Sequence, residues 1–186
     1  MKGIDKNSPL RFILIFLVLF GLFYYFNIFF FGITSPGKHY HAFLDEHLNY
    51  IRLLRHSLLA VTKFIIDLFG YTSITNDYQL LVVGHGTIDV VYTCLGLGVM
   101  SFFTAFVIAY PKTIKAKLLF LVSGLLLIQL LNVLRFVVLA VLWDKKSGMI
   151  VDHHTIFNAI IYILIAISLY FWVKQDDHQP ITSAKN

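Results

Sequence analysis

Four stretches of almost unbroken hydrophobic residues divide the chain: Leu10–Ile33, Ile88–Tyr110, Leu118–Trp143 and His154–Val173. Each is long enough for the roughly 20 helical residues that cross the apolar core of a bilayer. All four prolines, Pro9, Pro36, Pro111 and Pro180, fall outside them, where helices begin and stop. A fifth segment, 43–69, has a different period. Leu44, Leu48, Ile51, Leu54, Leu58, Val61, Ile65 and Leu68 form one helical stripe, and Asp45, Asn49, Arg52, His56, Lys63 and Asp67 line the other side. That pattern predicts an amphipathic helix along the outer interface or against the bundle, the alternative being a fifth, tilted crossing. The expected fold is an all-α polytopic membrane protein, a bundle of four transmembrane helices plus one amphipathic or fifth membrane-embedded helix.

Composition sharpens this picture. The 186 residues are 58% hydrophobic and 13% charged, about half the charged fraction of an ordinary soluble domain. A soluble enzyme and a nucleic-acid binder are poor fits. Of the 25 Asp, Glu, Lys and Arg residues, only Arg11, Asp89 and Arg135 lie in the four apolar stretches. The first stretch is too long for a signal-peptide apolar region and lacks a small-residue cleavage site, so it reads as a retained anchor. Lys2, Lys6 and Arg11 precede it, Lys112, Lys115 and Lys117 crowd the second connection, and Lys174 follows the last span. The positive-inside rule places these clusters, and both termini, in the cytoplasm, with 34–87 and 144–153 facing outward. The organisation expected is a cytoplasmic tail over 1–9, one integral membrane domain over 10–173 and a second cytoplasmic tail over 174–186.

Three polar groups stand out against this background. Arg135 lies about eight residues inside the third span, roughly 12 Å from its outer end at 1.5 Å per residue. A guanidinium there is expensive and cannot lose its proton, so it needs a partner, a wet cavity or a snorkelling route. Gln129 and Asn132 precede it at intervals of three and extend the polar stripe. Cys94, the single thiol, lies roughly 9 Å into the second span on the same rise. A cysteine in an apolar helix is ordinarily a small hydrophobe, but a thiol beside a fixed cation can become a nucleophile. Gly98, Ser101 and Ala105 share a small-residue face with Cys94 that admits another helix. His154 opens the fourth span and is followed by Asn158 and Tyr162 on one face.

In the deduced topology the thiol, the guanidinium and the imidazole all fall in the outer leaflet. A nucleophile, a proton-transfer group and a permanent cation are the parts of a thiol acyl-transferase. His85, between Gly84 and Gly86 in the outer loop, can also reach that level, although Gly-His-Gly is mostly turn chemistry. Asp152, His153 and His154 could bind a metal, but adjacent residues do not readily share a tetrahedral site and no further ligands have the right spacing. No metal and no cofactor are expected.

These residues resemble the exosortases and archaeosortases, polytopic membrane cysteine transpeptidases with three sequence blocks. The Cys-x-Gly block is matched by Cys94-Leu95-Gly96-Leu97-Gly98, the Asn-x-x-Arg block by Asn132-Val133-Leu134-Arg135, and the His block by Asp152-His153-His154 continuing to Asn158 and Tyr162. Order and spacing agree over residues 70–173, and His154 fits the third block better than His153. Leu95 replaces the family's usual small hydroxyl residue and Asn158 its glycine, which bears on substrate preference. The length and single early anchor resemble the short F-type exosortases.

The resemblance implies catalytic roles for Cys94, Arg135 and His154, with Asn132, Gly96, Gly98, Asn158, His153 and His85 supporting the site or binding substrate. It implies a bacterial cytoplasmic membrane, with the site toward the outer face. The implied partners are precursor proteins whose C-terminal sorting signal combines a short motif, one membrane helix and a basic tail. Cleavage through a Cys thioester would be followed by transfer to an acceptor nucleophile. The readings that compete are a membrane protease that hydrolyses without transfer, and a non-catalytic assembly or transport component with a structural Arg135.

Overall fold

The computed structural model describes residues 9–37, 39–142 and 153–175, with side chains over 9–37, 39–141 and 157–175. The expected tails and the outer connection before the last span lie outside these residues. The chain divides into two compact units, Met1–Gly148 and Met149–Asn186. In the first, helix α1 runs over Pro9–Thr34, α2 over Ala42–His47, α3 over Tyr50–Leu68, α4 over Leu97–Ala109 and α5 over Ile114–Leu142. The second holds α6, His153–Lys174. Four segments are long and apolar enough to cross a membrane: Pro9–Thr34, Tyr92–Ala109, Ile114–Val141 and Phe157–Lys174. They coincide with the four stretches read from the sequence, and the molecule is mostly helical.

Aromatic rings join α1 to α4. Phe12 meets Phe106 edge-on at 5.3 Å, and Phe16 meets Phe102 at the same separation. Offset and edge-on ring pairs add specific packing where lipid supplies no hydrophobic drive between helices. A polar relay fixes the other end of the same contact. Asn27 of α1 donates to the Ser101 hydroxyl at 3.0 Å and accepts from the Tyr50 hydroxyl at 2.6 Å, tying α1, α3 and α4 together. On the other side of α4, the Phe103 ring lies over Gly124 of α5, where a Cβ would overlap it. Lys117 donates to the Ile108 carbonyl at 2.7 Å, so one of the connection's lysines caps the last turn of α4.

The amphipathic segment is broken at Leu48. Asn49 caps α3 by accepting from the Arg52 amide at 2.9 Å, which ends α2 and restarts the helix. The buried face of α3 is also rotated from the expected stripe. Ile51, Arg55, Leu58, Leu59, Thr62 and Ile66 are buried, whereas Leu53, Val61, Phe64 and Leu68 are exposed. Apolar residues therefore lie on both the packed and the outward surfaces, as suits an element at a lipid boundary.

Residues expected only as outer loop form a short antiparallel meander. β1, Ser73–Thr75, pairs with β2, Gln79–Val82, which pairs with β3, Thr87–Asp89. Leu80 and Val82 point inward and are fully buried, alternating with exposed Gln79 and Leu81. The Asn76 side chain accepts from the amides of Tyr78 and Gln79, making the first turn an Asx turn. Gly84, at φ 83°, supplies the left-handed residue of the second.

The sheet is clamped to α3 by Asp67, which accepts from Lys63 at 2.8 Å and from the Ser73 hydroxyl at 2.6 Å, while Lys63 also donates to the Ser73 carbonyl at 2.7 Å. The Lys63 and Ser73 donors hold the Asp67 carboxyl below its ordinary range. Because folding lowers this pKa, the clamp is complete above the usual carboxylate range and is lost as pH falls through the lowered value. Amide exchange over Ser73–Thr75 is therefore expected to be faster in Asp67→Ala than in the parent at neutral pH. The two should converge only below about pH 4. Equal exchange rates at pH 7 would show that the clamp does not hold the sheet.

Candidate active site

Cys94 does not lie in a regular α-helix. It sits in a single 3-10 turn, Tyr92–Leu95, between the sheet and α4, with its amide bonded to the Val91 carbonyl at 2.9 Å. The turn ends at Gly96, whose φ of 73° and ψ of 14° are left-handed, and α4 starts at the next residue. The sequence placed this thiol two turns into a transmembrane helix; the structure places it at the break where that helix begins. Gly96 produces the break, since a left-handed residue cannot propagate a right-handed helix.

Three polar residues of α5 reach this turn. The Arg135 Nη2 donates to Cys94 Sγ at 3.6 Å, with both side chains 3% exposed. Asn132 Nδ2 lies 3.4 Å and Gln129 Nε2 3.3 Å from the Leu95 carbonyl oxygen, and Asn132 donates to Gln129 Oε1 at 3.2 Å. Residues spaced by three on one helix face thus grip the consecutive groups of one turn. A Cβ on Gly96 would stand 2.7 Å from Asn132 Nδ2, so this glycine is needed both for its dihedral and for the approach of α5. A buried sulfur, a fixed cation and a backbone held by two amides form a rigid, dry constellation suited to developing negative charge at sulfur.

The remaining residues of the expected set divide. Gly98 faces α1, where a Cβ would meet the Tyr24 ring at 3.6 Å, and Ser101 bonds Asn27 of the same helix. The small-residue face therefore receives α1, and Gly98 supports packing on that side. His85 lies in the β2–β3 turn, exposed, with its ring edge-on to Tyr71 at 5.0 Å. Among the described residues its ring contact is with Tyr71 and not with the Cys94 turn. Asn158 is half-buried and Tyr162 exposed on α6. His153 and His154 stand at the start of α6, and their side chains lie outside the described residues. Among the described residues no three His, Cys, Asp or Glu side chains converge as metal ligands would.

Arg55 was not singled out in the sequence, although it is a second buried guanidinium. Its place four residues after Ile51, on the face of α3 that packs inward, is the signal that could have found it.

A family model described as "Transmembrane exosortase (Exosortase_EpsH)" matches residues 10–172. No curated protein and no solved structure matches the chain.

Replacing Gly96 by Ala is expected to push α5 away from the Cys94 turn and to strain the backbone by about 1–2 kcal/mol. Asn132→Leu, which keeps volume but removes the amide, tests the grip without the strain. Cys94 in both variants should react faster than in the parent with a membrane-permeant maleimide. A parental labelling rate in both would show that this grip does not shield the thiol.

Proposed function

The chain belongs to the transmembrane exosortase family, and from that membership and the site on α4 and α5 we propose that it is a membrane thiol transpeptidase acting on C-terminal sorting signals. Family membership implies processing of sorting signals in a membrane. The finer reading rests on one observation: the only thiol of the chain is buried against Arg135, the one arginine of the third span, at 3.6 Å. An arginine so deep in an apolar helix needs a partner or a task, and the Cys94 sulfur supplies the task. The length and early anchor favour the short F-type branch.

In this mechanism Cys94 Sγ attacks a backbone carbonyl carbon at the outer end of the substrate's membrane helix. A C–S bond forms, the carbonyl oxygen gains negative charge, and the Arg135 guanidinium stabilises charge first on sulfur and then at that oxygen. Collapse breaks the C–N bond and expels the C-terminal helix as an amine. His154 carries the thiol proton to that leaving nitrogen. An acceptor amine then attacks the thioester, forming a new C–N bond and returning the sulfur with its proton. The apolar walls around Cys94, including Leu95, Leu97 and Val133, keep water from the thioester and favour transfer over hydrolysis. Asn132 and Gln129 act by holding the turn, and Gly96 by admitting them. Positive-inside charge supports a cytoplasmic location for both termini, which directs the Cys94 turn and the sheet outward.

Two outcomes test this. Cys94→Ala and Cys94→Ser cells are expected to accumulate proteins with intact C-terminal motif, helix and basic tail. Mass spectrometry of the mature C-terminus in parental cells should show an adduct; a free carboxylate there would make the enzyme a hydrolase, and unimpaired processing in Cys94→Ala would remove the catalytic role altogether. For Arg135→Lys, which keeps charge but loses the planar fork and reach, turnover should fall by about a hundredfold, or roughly 2.7 kcal/mol at the transition state. Near-parental turnover in a well-inserted Lys variant would sink the proposed role of the guanidinium.

A further inference from the structure

A second buried guanidinium lies on the sheet side of the molecule. Arg55 of α3 is 6% exposed, and its Nε is buried without a hydrogen-bond partner among the described residues. Its guanidinium carbon stacks 4.4 Å over the Tyr78 ring, a cation–π contact that orients the group but does not neutralise it. It opens on a cavity of about 530 Å³ lined by the end of α1, the start of α3, the β1–β2 turn and Tyr92. Burying a charge is unfavourable unless a partner is supplied.

The two carboxylates in the cavity wall do not supply it. Asp45 accepts from Asn49 at 2.7 Å and from Tyr40 at 2.9 Å, and Asp77 lies 3.5 Å from His56 Nε2. Among the described residues neither forms an ion pair with Arg55, and the charge that acts on Asp45 is that of Arg52, which also lines the cavity. The arrangement is an oriented, desolvated cation facing open space, as in sites that receive a carboxylate.

We propose that this cavity is a specificity pocket, with Arg55 binding an aspartate or glutamate side chain of the substrate a few residues from its scissile bond. The inference rests on the transpeptidase reading above and adds a chemical requirement to it. Tyr92 both lines the cavity and opens the turn that carries Cys94, so a chain bound at the thiol passes the pocket. A single carboxylate matches one buried guanidinium that is stacked on the Tyr78 ring and faces a cavity which Tyr92 also lines. Arg55 is thus a substrate-binding residue separate from the Cys94–Arg135 pair.

The test uses the full-length protein in membranes and, as probes, the precursors that remain uncut in Cys94→Ala cells. In each precursor the acidic residues flanking the cleavage site are changed singly to Asn or Gln. One such change is expected to slow processing about tenfold or more with the parental enzyme, with the loss falling on KM. Arg55→Gln should slow the unaltered precursor to a similar degree, Arg55→Lys less, and the two changes together should lose no more than either alone.

Parental processing by Arg55→Gln, losses that multiply, or precursors lacking a required acidic residue would each overturn the pocket. If Arg55→Gln fails to insert, the precursor changes still decide, since they leave the enzyme intact. Sensitivity to Arg55 but not to precursor carboxylates, with activity rising when phosphatidylglycerol replaces phosphatidylcholine in vesicles, would assign the cavity to a lipid headgroup instead and overturn the proposal. Processing that survives Cys94→Ala removes the enzymatic reading. Parental rates in Arg55→Gln with Cys94 intact remove only this pocket.

Discussion

A guanidinium that cannot be discharged, buried beside a sulfur in apolar surroundings, is the constraint around which the first unit is organised. Arg135 lies deep on α5, where lipid offers it nothing, so the helix must present it to a group inside the protein. Cys94 is that group, and bringing the two together dictates much else. The chain has to turn sharply before α4, the turn has to lie flat against α5, and its carbonyls have to be satisfied. Gly96 permits the turn, and Gln129 and Asn132 bond the Leu95 carbonyl. Gln129 and Asn132, on the helix face that carries Arg135, thereby complete backbone hydrogen bonding at a helix break within a candidate membrane span. Unsatisfied groups there would be costly.

The rest of the unit braces this arrangement from two sides. On one, α1 packs on α4 through edge-on rings and through the Asn27 relay, which fixes α4 in register against α3. On the other, the three-stranded meander feeds directly into the Cys94 turn, and its buried Leu80, Val82 and Val90 join the core that includes Cys94 and Leu95. Sheet and turn are therefore mechanically continuous. The clamp of Asp67, Lys63 and Ser73 extends that continuity to α3. A site built on rigid neighbours holds its geometry without relying on loops. In the proposed mechanism such preorganisation is what the guanidinium contributes, since its charge is in place before any charge develops on the substrate.

The contrast between the two buried arginines is informative. Arg135 contacts the Cys94 sulfur, whereas Arg55 stacks on Tyr78 and faces a cavity. The first is suited to chemistry and the second to recognition. In the proposed reading, recognition lies on α3 and the sheet and chemistry on α4 and α5, so that one can vary without disturbing the other.

Much was legible along the chain because the bilayer demands it. Spans need about 20 apolar residues, and an intramembrane arginine with Gln129 and Asn132 at intervals of three announces a polar helix face. Arg135 and Asn132 could be picked out on those grounds, Cys94 as the single thiol and Gly96 through the resemblance, and the structure brings the four together. Other features were decided only in three dimensions. Near lipid, outward and inward surfaces are both apolar, so hydrophobic periodicity could not tell which face of α3 is packed, and it passed over Arg55 on the buried one. Strands of three or four residues carry too short a pattern to read and gain their stability from partners elsewhere in the chain, so the meander was invisible locally. That Gly96 must lack a side chain depends on Asn132, 36 positions further on, reaching the same point in space. Composition and period set which segments enter the membrane, and tertiary packing alone determined which of their polar groups meet.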